Sequence, residues 1–248
     1  MKIVGVIPAR YESTRLKAKV LADINGKPMI QHVYERAKAS RQLSDLIIAC
    51  DDERIFEKAK EFAAKVVLTS KLHSSGSDRI AEVIKNLDVD IVVNIQGDEP
   101  LIQASIIDSL VKALKNDPQC VMSTPIRILK DERNLTDPNV VKVVIDKNKY
   151  ALFFSRSIIP FNRDQKKFTE ILYYQHLGLY AYRKDFLLSF VNLPKSYLEK
   201  TEQLEQLRVL EAGYKIKTVL TDIETMSIDT QEDLDRLKKL LKGNLKHG

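Results

Sequence analysis

The residues best suited to metal chemistry follow a short, almost wholly apolar segment at 90–95. That segment predicts a buried strand, and Gln96, Gly97, Asp98 and Glu99 come directly after it. Mg²⁺ prefers a few protein carboxylates together with water and phosphate oxygens, so Asp98 suits the role of ligand and Glu99 that of a hydrogen-bond acceptor behind it. Gly97 allows the backbone to approach a ligand closely. The competing interpretation is an ordinary turn in which Asp98 caps the next helix.

A basic loop follows the first predicted strand, at 3–7. It holds Arg10, Arg15 and Lys19, with two hydroxyl side chains between them. Several cations and backbone N–H groups in one loop can cradle a triphosphate, although a solvated loop could have the same composition. The chain lacks the Gly-x-x-x-x-Gly-Lys-[Ser/Thr] motif, so the loop is not a P-loop, and the lack of a Gly-x-Gly-x-x-Gly fingerprint argues against a dinucleotide cofactor.

Two further segments could contribute to the same site. The loop 74–79 is rich in small and hydroxyl residues, and Gly76 would let its backbone approach a base or ribose; alternatively it is a helix start capped by Ser77 or Asp78. Asp229 ends a strand-like segment late in the chain and, taken alone, reads as part of a helix cap. If the fold brings Asp229 near Asp98, the two carboxylates could hold one or two Mg²⁺ ions.

The elements that must position these residues alternate between short apolar runs and amphipathic helical patterns. Strands are predicted at 3–7, 45–50, 65–69, 90–95 and 120–126, and helices at 27–40, 53–64, 78–87 and 105–115. This rhythm predicts an α/β fold with a doubly wound, mostly parallel sheet, whose ligands bind beyond the carboxyl ends of the strands.

The alternation of predicted strands and helices ends after about residue 127. Segments 140–145 and 150–155 flank a hairpin-like turn, 176–182 alternates like a half-exposed strand, and 215–221 predicts another strand. Helices are predicted at 201–211 and 230–241, the second with Thr230 as its N-cap. We therefore predict one domain, 1–248, with an antiparallel insertion at about 128–200.

Composition limits the class of protein. The 248 residues are 44 % hydrophobic and contain no apolar run long enough to cross a membrane, and the apolar N-terminal run is too short for a signal peptide. Cys50 and Cys120 lie in strand-like segments and are expected to be buried free thiols, which favours a cytoplasmic location. The net charge is +6, but residues 236–248 carry five basic and no acidic side chains, which leaves +1 for the rest. This distribution argues against a nucleic-acid-binding face.

Nine stretches, in order along the chain, carry a family resemblance: IPARYESTRL (7–16), INGKPMIQHV (24–33), SSGSDRIAEV (74–83), VNIQGDEP (93–100), PNVVKVV (138–144), ALFFSRSIIP (151–160), HLGLYAYR (176–183), LEQLRVLEAG (204–213) and IDTQEDLDR (228–236). Over almost its whole length the chain resembles the CMP-Kdo synthetases, or 3-deoxy-manno-octulosonate cytidylyltransferases. The first and fourth stretches are shared with other sugar nucleotidyltransferases, whereas those after residue 138 indicate the Kdo branch. The family often has glycine and proline where this chain has Ala18 and Val20, and tryptophan at Phe161.

The resemblance implies a homodimer of the nucleotide-diphosphosugar transferase fold and a reaction for lipopolysaccharide biosynthesis, in which CTP and Kdo give CMP-Kdo and pyrophosphate. It implies catalytic roles for Arg10, Arg15, Lys19, Asp98 and Asp229, with Mg²⁺ on the two aspartates. The nucleotide-binding residues that it implies are Pro8, Ala9, Arg10, Arg15, Lys19, Ser75, Gly76, Arg79, Gln96 and Asp98.

The same resemblance implies a sugar pocket. Its residues would be Gln96, Arg156, Arg163, His176, Tyr180, Glu205 and Gln206. Kdo is an acid with many hydroxyl groups, and these side chains offer partners for both.

Three other classes remain as alternatives. A CMP-sialic acid synthetase would share the nucleotide motifs and differ within 138–213. A non-catalytic nucleotide- or sugar-binding regulator on the same sheet is expected to lack Asp98 and Asp229, which are present. A nucleic-acid-binding protein would need a basic face with interleaved aromatic side chains.

Overall fold

Strands and helices alternate along the first half of the chain in the computed structural model, which describes residues 1–13 and 16–244. The elements, in chain order, are β1 (Ile3–Ala9), β2 (Asp23–Ile24), β3 (Lys27–Pro28), α1 (Met29–Lys38), β4 (Asp45–Cys50), α2 (Glu53–Glu61), β5 (Lys65–Leu68), α3 (Gly76–Ile84), β6 (Ile91–Asn94), α4 (Ala104–Asn116), β7 (Met122–Ile128), α5 (Arg133–Thr136), β8 (Lys142–Ile145), β9 (Ala151–Ser155), β10 (Tyr174–His176), β11 (Tyr180–Arg183), α6 (Lys184–Phe190), α7 (Tyr197–Glu202), α8 (Gln206–Glu211), β12 (Ile216–Leu220) and α9 (Gln231–Asn244). Short 3-10 turns occur at Lys19–Leu21 and Phe168–Glu170.

The chain divides into two compact units, residues 1–108 with 224–248 and residues 109–223. In the first unit β5, β4, β1 and β6 lie side by side in that order, and each neighbouring pair is parallel. The chain moves outward from β1 to β4 and β5 and then returns to the other side of β1 with β6. Ligands in open α/β sheets bind at this reversal of strand order, so the carboxyl ends of β1 and β6 mark the expected site.

The second unit is organised around β7. β12 pairs with β7 in parallel, whereas β10 and β11 pair with it antiparallel, and β8 and β9 continue the sheet as an antiparallel hairpin. Asp146 forms the hairpin turn, because its carboxylate accepts the backbone N–H groups of Asn148 and Tyr150 at 2.8 Å. The change to antiparallel pairing after residue 127 is as predicted.

The predicted α/β class is confirmed, and most predicted elements occur with ends shifted by a few residues. The predicted strand 176–182 is wrong in detail, because it is divided between β10 and β11. The predicted helix 201–211 is also two helices, α7 and α8, since Gln203 takes a left-handed conformation with φ 53°. The predicted insertion, about 128–200, falls within the second unit, and the prediction that it forms the dimerisation lobe of the homodimer, which the family resemblance implies, stays a prediction.

Both cysteines are buried and free, as predicted. Burial raises the pKa of the Cys50 thiol to about 11 and that of the Cys120 thiol to about 11. Over the described part of the chain, no helix has both the length and the apolar character needed to cross a membrane.

Candidate active site

A cavity of about 330 Å³ lies at the carboxyl ends of β1 and β6, at the reversal of strand order. β1 supplies Pro8 and is followed by Arg10, whereas β6 is followed by the turn that contains Asp98. The residues that line the cavity are Pro8, Arg10, Glu12, Ser13, Lys19, Val20, Gly76, Gln96, Gly97, Asp98 and Asp229. The sheet topology therefore gathers residues from four distant parts of the sequence around one space.

Two glycines bring backbone close to the wall of this cavity. A Cβ atom on Gly97 would lie 3.2 Å from the Pro8 carbonyl oxygen, and one on Gly76 would lie 3.3 Å from the Pro8 ring. Gly76 is the first residue of α3, whose N-cap is Ser75 in a capping box with Asp78. The predicted alternative caps, Ser77 and Asp78, are wrong because the Ser75 hydroxyl accepts the Asp78 N–H at 3.0 Å.

Asp98 and Asp229 lie on either side of the Lys19 ammonium group. Its Nζ donates hydrogen bonds to Asp98 Oδ2 at 2.6 Å and to Asp229 Oδ1 at 3.0 Å. The late segment reaches Asp98 through the backbone, where the Ile228 N–H donates to the Asp98 carbonyl oxygen at 3.0 Å. Asp229 therefore lies close to Asp98, as a metal site formed by the two carboxylates would require.

The charges of this group stabilise one another. Burial lowers the pKa of Lys19, but the charge and hydrogen bond of Asp98, with those of Asp229, outweigh burial and raise the pKa overall. Behind Asp98, the Glu99 carboxyl is buried and its pKa is raised to about 7, first by burial and then by the Asp98 charge. The buried Glu99 carboxyl and the Asp98 charge beside it make this part of the cavity favourable for cations.

Asp51, which follows β4, connects the basic loop to Arg79 through hydrogen bonds. Asp51 accepts the Tyr11 N–H at 3.0 Å through one carboxylate oxygen and an Arg79 N–H at 3.0 Å through the other. Arg79 is fully buried and also donates to Thr69 Oγ1 at 2.5 Å. Its guanidinium thus supports the loops after β4 and β5.

In the second unit, four polar side chains form a cluster in which His176 and Gln206 are buried and Tyr180 and Glu205 are half-buried. The Tyr180 hydroxyl donates to Gln206 Oε1 at 3.2 Å, and the His176 and Tyr180 rings lie 5.5 Å apart. Burial lowers the pKa of His176 to about 3, so the ring is neutral. Burial and the nearby Glu205 carboxylate raise the pKa of Tyr180, so its hydroxyl keeps its proton. Within the described chain, Gln206 Nε2 is buried without a hydrogen-bond partner.

Arg156 is held in place by backbone carbonyl groups. Its Nε donates to the Glu202 carbonyl at 2.8 Å, and its two Nη atoms donate to the carbonyls of Pro138 and Gln203 at 2.8 and 3.3 Å. Lys142, buried on β8, donates in turn to the Arg156 carbonyl at 2.6 Å. Arg163 is exposed in the loop before the second 3-10 turn.

Comparison with known proteins identifies the family. Residues 4–217 match the family model described as Cytidylyltransferase. The 3-deoxy-manno-octulosonate cytidylyltransferase of Solibacter usitatus (strain Ellin6076) is 50 % identical over 247 residues, which cover 100 % of this chain and 97 % of that protein. The chain belongs to the 3-deoxy-manno-octulosonate cytidylyltransferase family.

Two further proteins show the same similarity over almost the whole chain. The protein of Geotalea uraniireducens (strain Rf4) is 49 % identical over 250 residues, covering 98 % of this chain and 100 % of its own length. A solved structure of CMP:2-keto-3-deoxy-manno-octonic acid synthetase complexed with CTP is 39 % identical, with a TM-score of 0.93 and coverage of 98 % and 100 % of the two chains. The family predicted from the sequence motifs is confirmed.

The structure gathers only part of the residues that the family resemblance implied for catalysis and for nucleotide binding. Pro8, Arg10, Lys19, Gly76, Gln96, Asp98 and Asp229 line the cavity, and Ser75 caps the helix beside it. Ala9 is buried within β1, and the buried Arg79 donates to Asp51 and Thr69, so their contacts with a nucleotide stay predictions. Arg15 lies outside the described residues.

The residues that the resemblance implied for the sugar are likewise divided. His176, Tyr180, Glu205 and Gln206 come together in the second unit, whereas the guanidinium of Arg156 is engaged with carbonyl groups and Arg163 is exposed; their roles stay predictions. Sequence reasoning missed Glu12 and Val20 as cavity residues. Only their place in the basic loop could have indicated them, because neither residue type is specific for phosphate.

The donor set of the cavity fits Mg²⁺. Asp98 and Asp229 together contact one cation, the Lys19 ammonium group, and among the described residues no group of three or more His, Cys, Asp or Glu side chains could hold a metal by itself. A site with two carboxylates leaves coordination positions for water and phosphate oxygens, which Mg²⁺ favours.

Proposed function

We propose that the protein transfers the cytidylyl group of CTP to Kdo, giving CMP-Kdo and pyrophosphate, the step that activates Kdo for lipopolysaccharide biosynthesis. The observation that carries the proposal is the meeting of Asp98 and Asp229 around one cation, in a cavity at the reversal of strand order. The similarity to a synthetase complexed with CTP supports the same nucleotide for this chain.

In the proposed reaction, the anomeric hydroxyl oxygen of Kdo attacks the α-phosphorus of CTP. A P–O bond to the sugar forms, the bond between the α-phosphorus and the bridging oxygen breaks, and pyrophosphate leaves with the electron pair. The hydroxyl proton passes to solvent. Such a reaction depends mainly on positioning and on neutralising phosphate charge.

The cavity residues suit that task. Arg10 has a buried Nη2 without a hydrogen-bond partner among the described residues, so it retains a donor for a phosphate oxygen. Lys19 adds a second positive charge, and the first turn of α3, which begins at Gly76, offers backbone N–H groups. Mg²⁺ bound by Asp98 and Asp229 would supply positive charge to the phosphate oxygens.

The polar cluster of the second unit suits a sugar. Among the described residues the Gln206 amide nitrogen has no hydrogen-bond partner, Tyr180 keeps a protonated hydroxyl, and His176 is neutral. Neutral donors and acceptors recognise hydroxyl groups without attracting a competing ion. We therefore propose that Gln206, Tyr180 and His176 contribute to Kdo recognition.

The first test is pyrophosphate release from CTP and Mg²⁺, with Kdo, with sialic acid, without sugar, and with EDTA. We expect release that requires both Kdo and the metal. Release with sialic acid instead would assign the protein to the neighbouring synthetase, and no release with any sugar acid would favour a non-catalytic binding protein.

A matched pair of variants tests the role of Asp98. Asp98→Asn is expected to lower kcat by at least about a hundredfold, because it removes a charge that holds the metal at the reacting phosphate. Asp88→Asn, at the opposite end of β6 and 91 % exposed, is the control and should leave kcat unchanged. Full turnover by Asp98→Asn would contradict the metal role.

We also propose that the enzyme is a cytoplasmic homodimer. Exposed apolar side chains in the second unit support a self-association face: Phe161 is 85 % exposed, Leu152 59 % and Leu172 52 %. Light scattering of the purified protein should give twice the 28.4 kDa chain mass, and Phe161→Glu with Leu152→Glu should lower it. Cell fractionation tests the location.

A further inference from the structure

Lys19 occupies the position between Asp98 and Asp229 that suits a divalent cation. Its side chain is only 14 % exposed, and its ammonium group reaches both carboxylates with good hydrogen-bond lengths, 2.6 and 3.0 Å. A metal coordinated by both aspartates cannot share this space with an ammonium group. The hydrogen bonds of Lys19 to both aspartates and the binding of a metal ion by both aspartates therefore exclude one another.

The backbone of Lys19 is fixed, but its side chain is long. Ala18 takes a left-handed conformation, the Leu21 N–H donates to the Ala18 carbonyl at 2.8 Å, and Val20 is buried. Four rotatable side-chain bonds nevertheless separate the ammonium group from this anchored turn. The group can thus leave the aspartates without any change in the fold.

The cavity also offers the Lys19 ammonium group a second position, next to bound phosphate groups. The cavity that Lys19 lines contains Arg10, Gly97 and the start of α3 at Gly76, all of them suited to phosphate. A bound triphosphate would place several negative charges within the same space of about 330 Å³. The charge of Lys19 would then be neutralised there instead of by the aspartates.

We propose that Lys19 is a built-in substitute for the divalent cation. In the free protein its ammonium group holds Asp98 and Asp229 together against their mutual repulsion, and it moves to the nucleotide phosphates when the metal enters. The inference deepens the proposed function and rests on it. It makes metal and nucleotide binding cooperative, because each ligand favours the same position of Lys19.

The test measures Mn²⁺ binding by electron paramagnetic resonance, with no nucleotide or sugar present. Lys19→Met is expected to bind Mn²⁺ at least about tenfold more tightly than the unaltered protein, since the metal no longer displaces a hydrogen-bonded charge. Lys17→Met is the matched control: Lys17 is exposed two residues away, and its loss changes the net charge equally. We expect that control to bind Mn²⁺ like the unaltered protein.

Two further measurements complete the test. With a non-hydrolysable CTP analogue, Mn²⁺ affinity should rise more in the unaltered protein than in Lys19→Met. In EDTA, Lys19→Met should have a lower Tm than Lys17→Met, and Mn²⁺ should remove the difference. Adding Asp98→Asn to Lys19→Met should abolish the gain in affinity, and retention of the gain would mean that the ion binds elsewhere and would overturn the proposal.

Equal or weaker Mn²⁺ binding by a folded Lys19→Met, relative to Lys17→Met, would also overturn it. These binding measurements involve no turnover, so they are independent of the pyrophosphate assay. An unaltered protein that makes CMP-Kdo while Lys19→Met gains no affinity would refute the substitution by Lys19 and leave the proposed function intact. Absence of pyrophosphate release would refute the function instead.

Discussion

Replacing Glu199 by glutamine tests how the second unit holds α8, the helix that begins at Gln206. Glu199 accepts two parallel hydrogen bonds from Arg208, from Nε at 2.7 Å and from Nη2 at 2.6 Å. Both side chains are only 8 % exposed, and the guanidinium group lies 4.5 Å from the Phe190 ring centre. Glutamine keeps the shape and one oxygen acceptor but removes the charge.

The expected loss of stability follows from this burial. Removing one member of a buried ion pair typically costs about 3–5 kcal/mol, because the other charge stays buried and unpaired. We expect about 3 kcal/mol for Glu199→Gln, since the amide oxygen can still accept one bond and Glu205 lies 3.7 Å from Arg208 Nη2. For a chain of this length that corresponds to a Tm lower by roughly 6–12 °C.

The pair Asp131 and Arg133 provides a control with the same geometry on the surface. Arg133 donates to both carboxylate oxygens of Asp131 at 3.0 and 2.7 Å, but Arg133 is 90 % exposed. Asp131→Asn should therefore cost less than about 1 kcal/mol. Thermal unfolding and urea titration of both variants give the comparison directly.

Glu199→Gln should also change the kinetics in a specific direction. Arg208 would draw the nearby Glu205 carboxylate toward itself, so the KM for Kdo should rise while the KM for CTP stays near its original value. A double replacement, Glu199→Leu with Arg208→Met, should destabilise by less than the sum of the single replacements, because no charge is left buried. Additive losses, or equal losses for Glu199→Gln and Asp131→Asn, would refute the reasoning.

Three further predictions concern other parts of the chain. Ala18→Gly should raise the free energy of unfolding by about 1 kcal/mol in urea titration, because Ala18 has φ 51° and glycine adopts that conformation without strain; a lower midpoint would contradict this. His176 has a folded pKa of about 3, below its usual 6.5, so the unfolded chain binds more protons between these values and stability falls as the pH drops through that window. His176→Gln should therefore show a flatter loss of stability between pH 6 and 4 (roughly one proton fewer), and an unchanged slope would contradict the buried neutral ring. Lys142→Met should cost roughly 3 kcal/mol in thermal unfolding, because it removes the ammonium group that donates to the carbonyls of Asp137, Val140 and Arg156, whereas Lys147→Met in the exposed hairpin turn should cost almost nothing.

The position of the candidate site could be predicted because one topological rule decides it. Once strands and helices alternate, polar residues after β1 and β6 must meet at the carboxyl edge of the sheet, as Arg10 and Asp98 do. The place of Asp229 in the site was harder to predict. Its closeness to Asp98 depends on a backbone hydrogen bond between Ile228 and Asp98, which no local sequence pattern reveals. Family motifs supplied that link.

Details that depend on tertiary contacts could not be predicted. Arg79 stands in a family motif, yet Asp51 and Thr69 occupy its guanidinium group, and neither residue is near it in sequence. The continuous helical pattern at 201–211 hides the left-handed Gln203, whose carbonyl accepts a hydrogen bond from Arg156. In each case a distant partner overrides the local preference that sequence patterns report.

The two buried cysteines have a practical consequence for spectroscopy. A thiol pKa of about 11 leaves less than about one thiolate in a thousand at neutral pH, and the buried position shields both sulfur atoms from reagents. A cysteine introduced at an exposed position such as Lys17 should therefore react with maleimide dyes or spin labels while Cys50 and Cys120 remain unmodified. The native protein is thus already a suitable background for site-specific labelling of the basic loop.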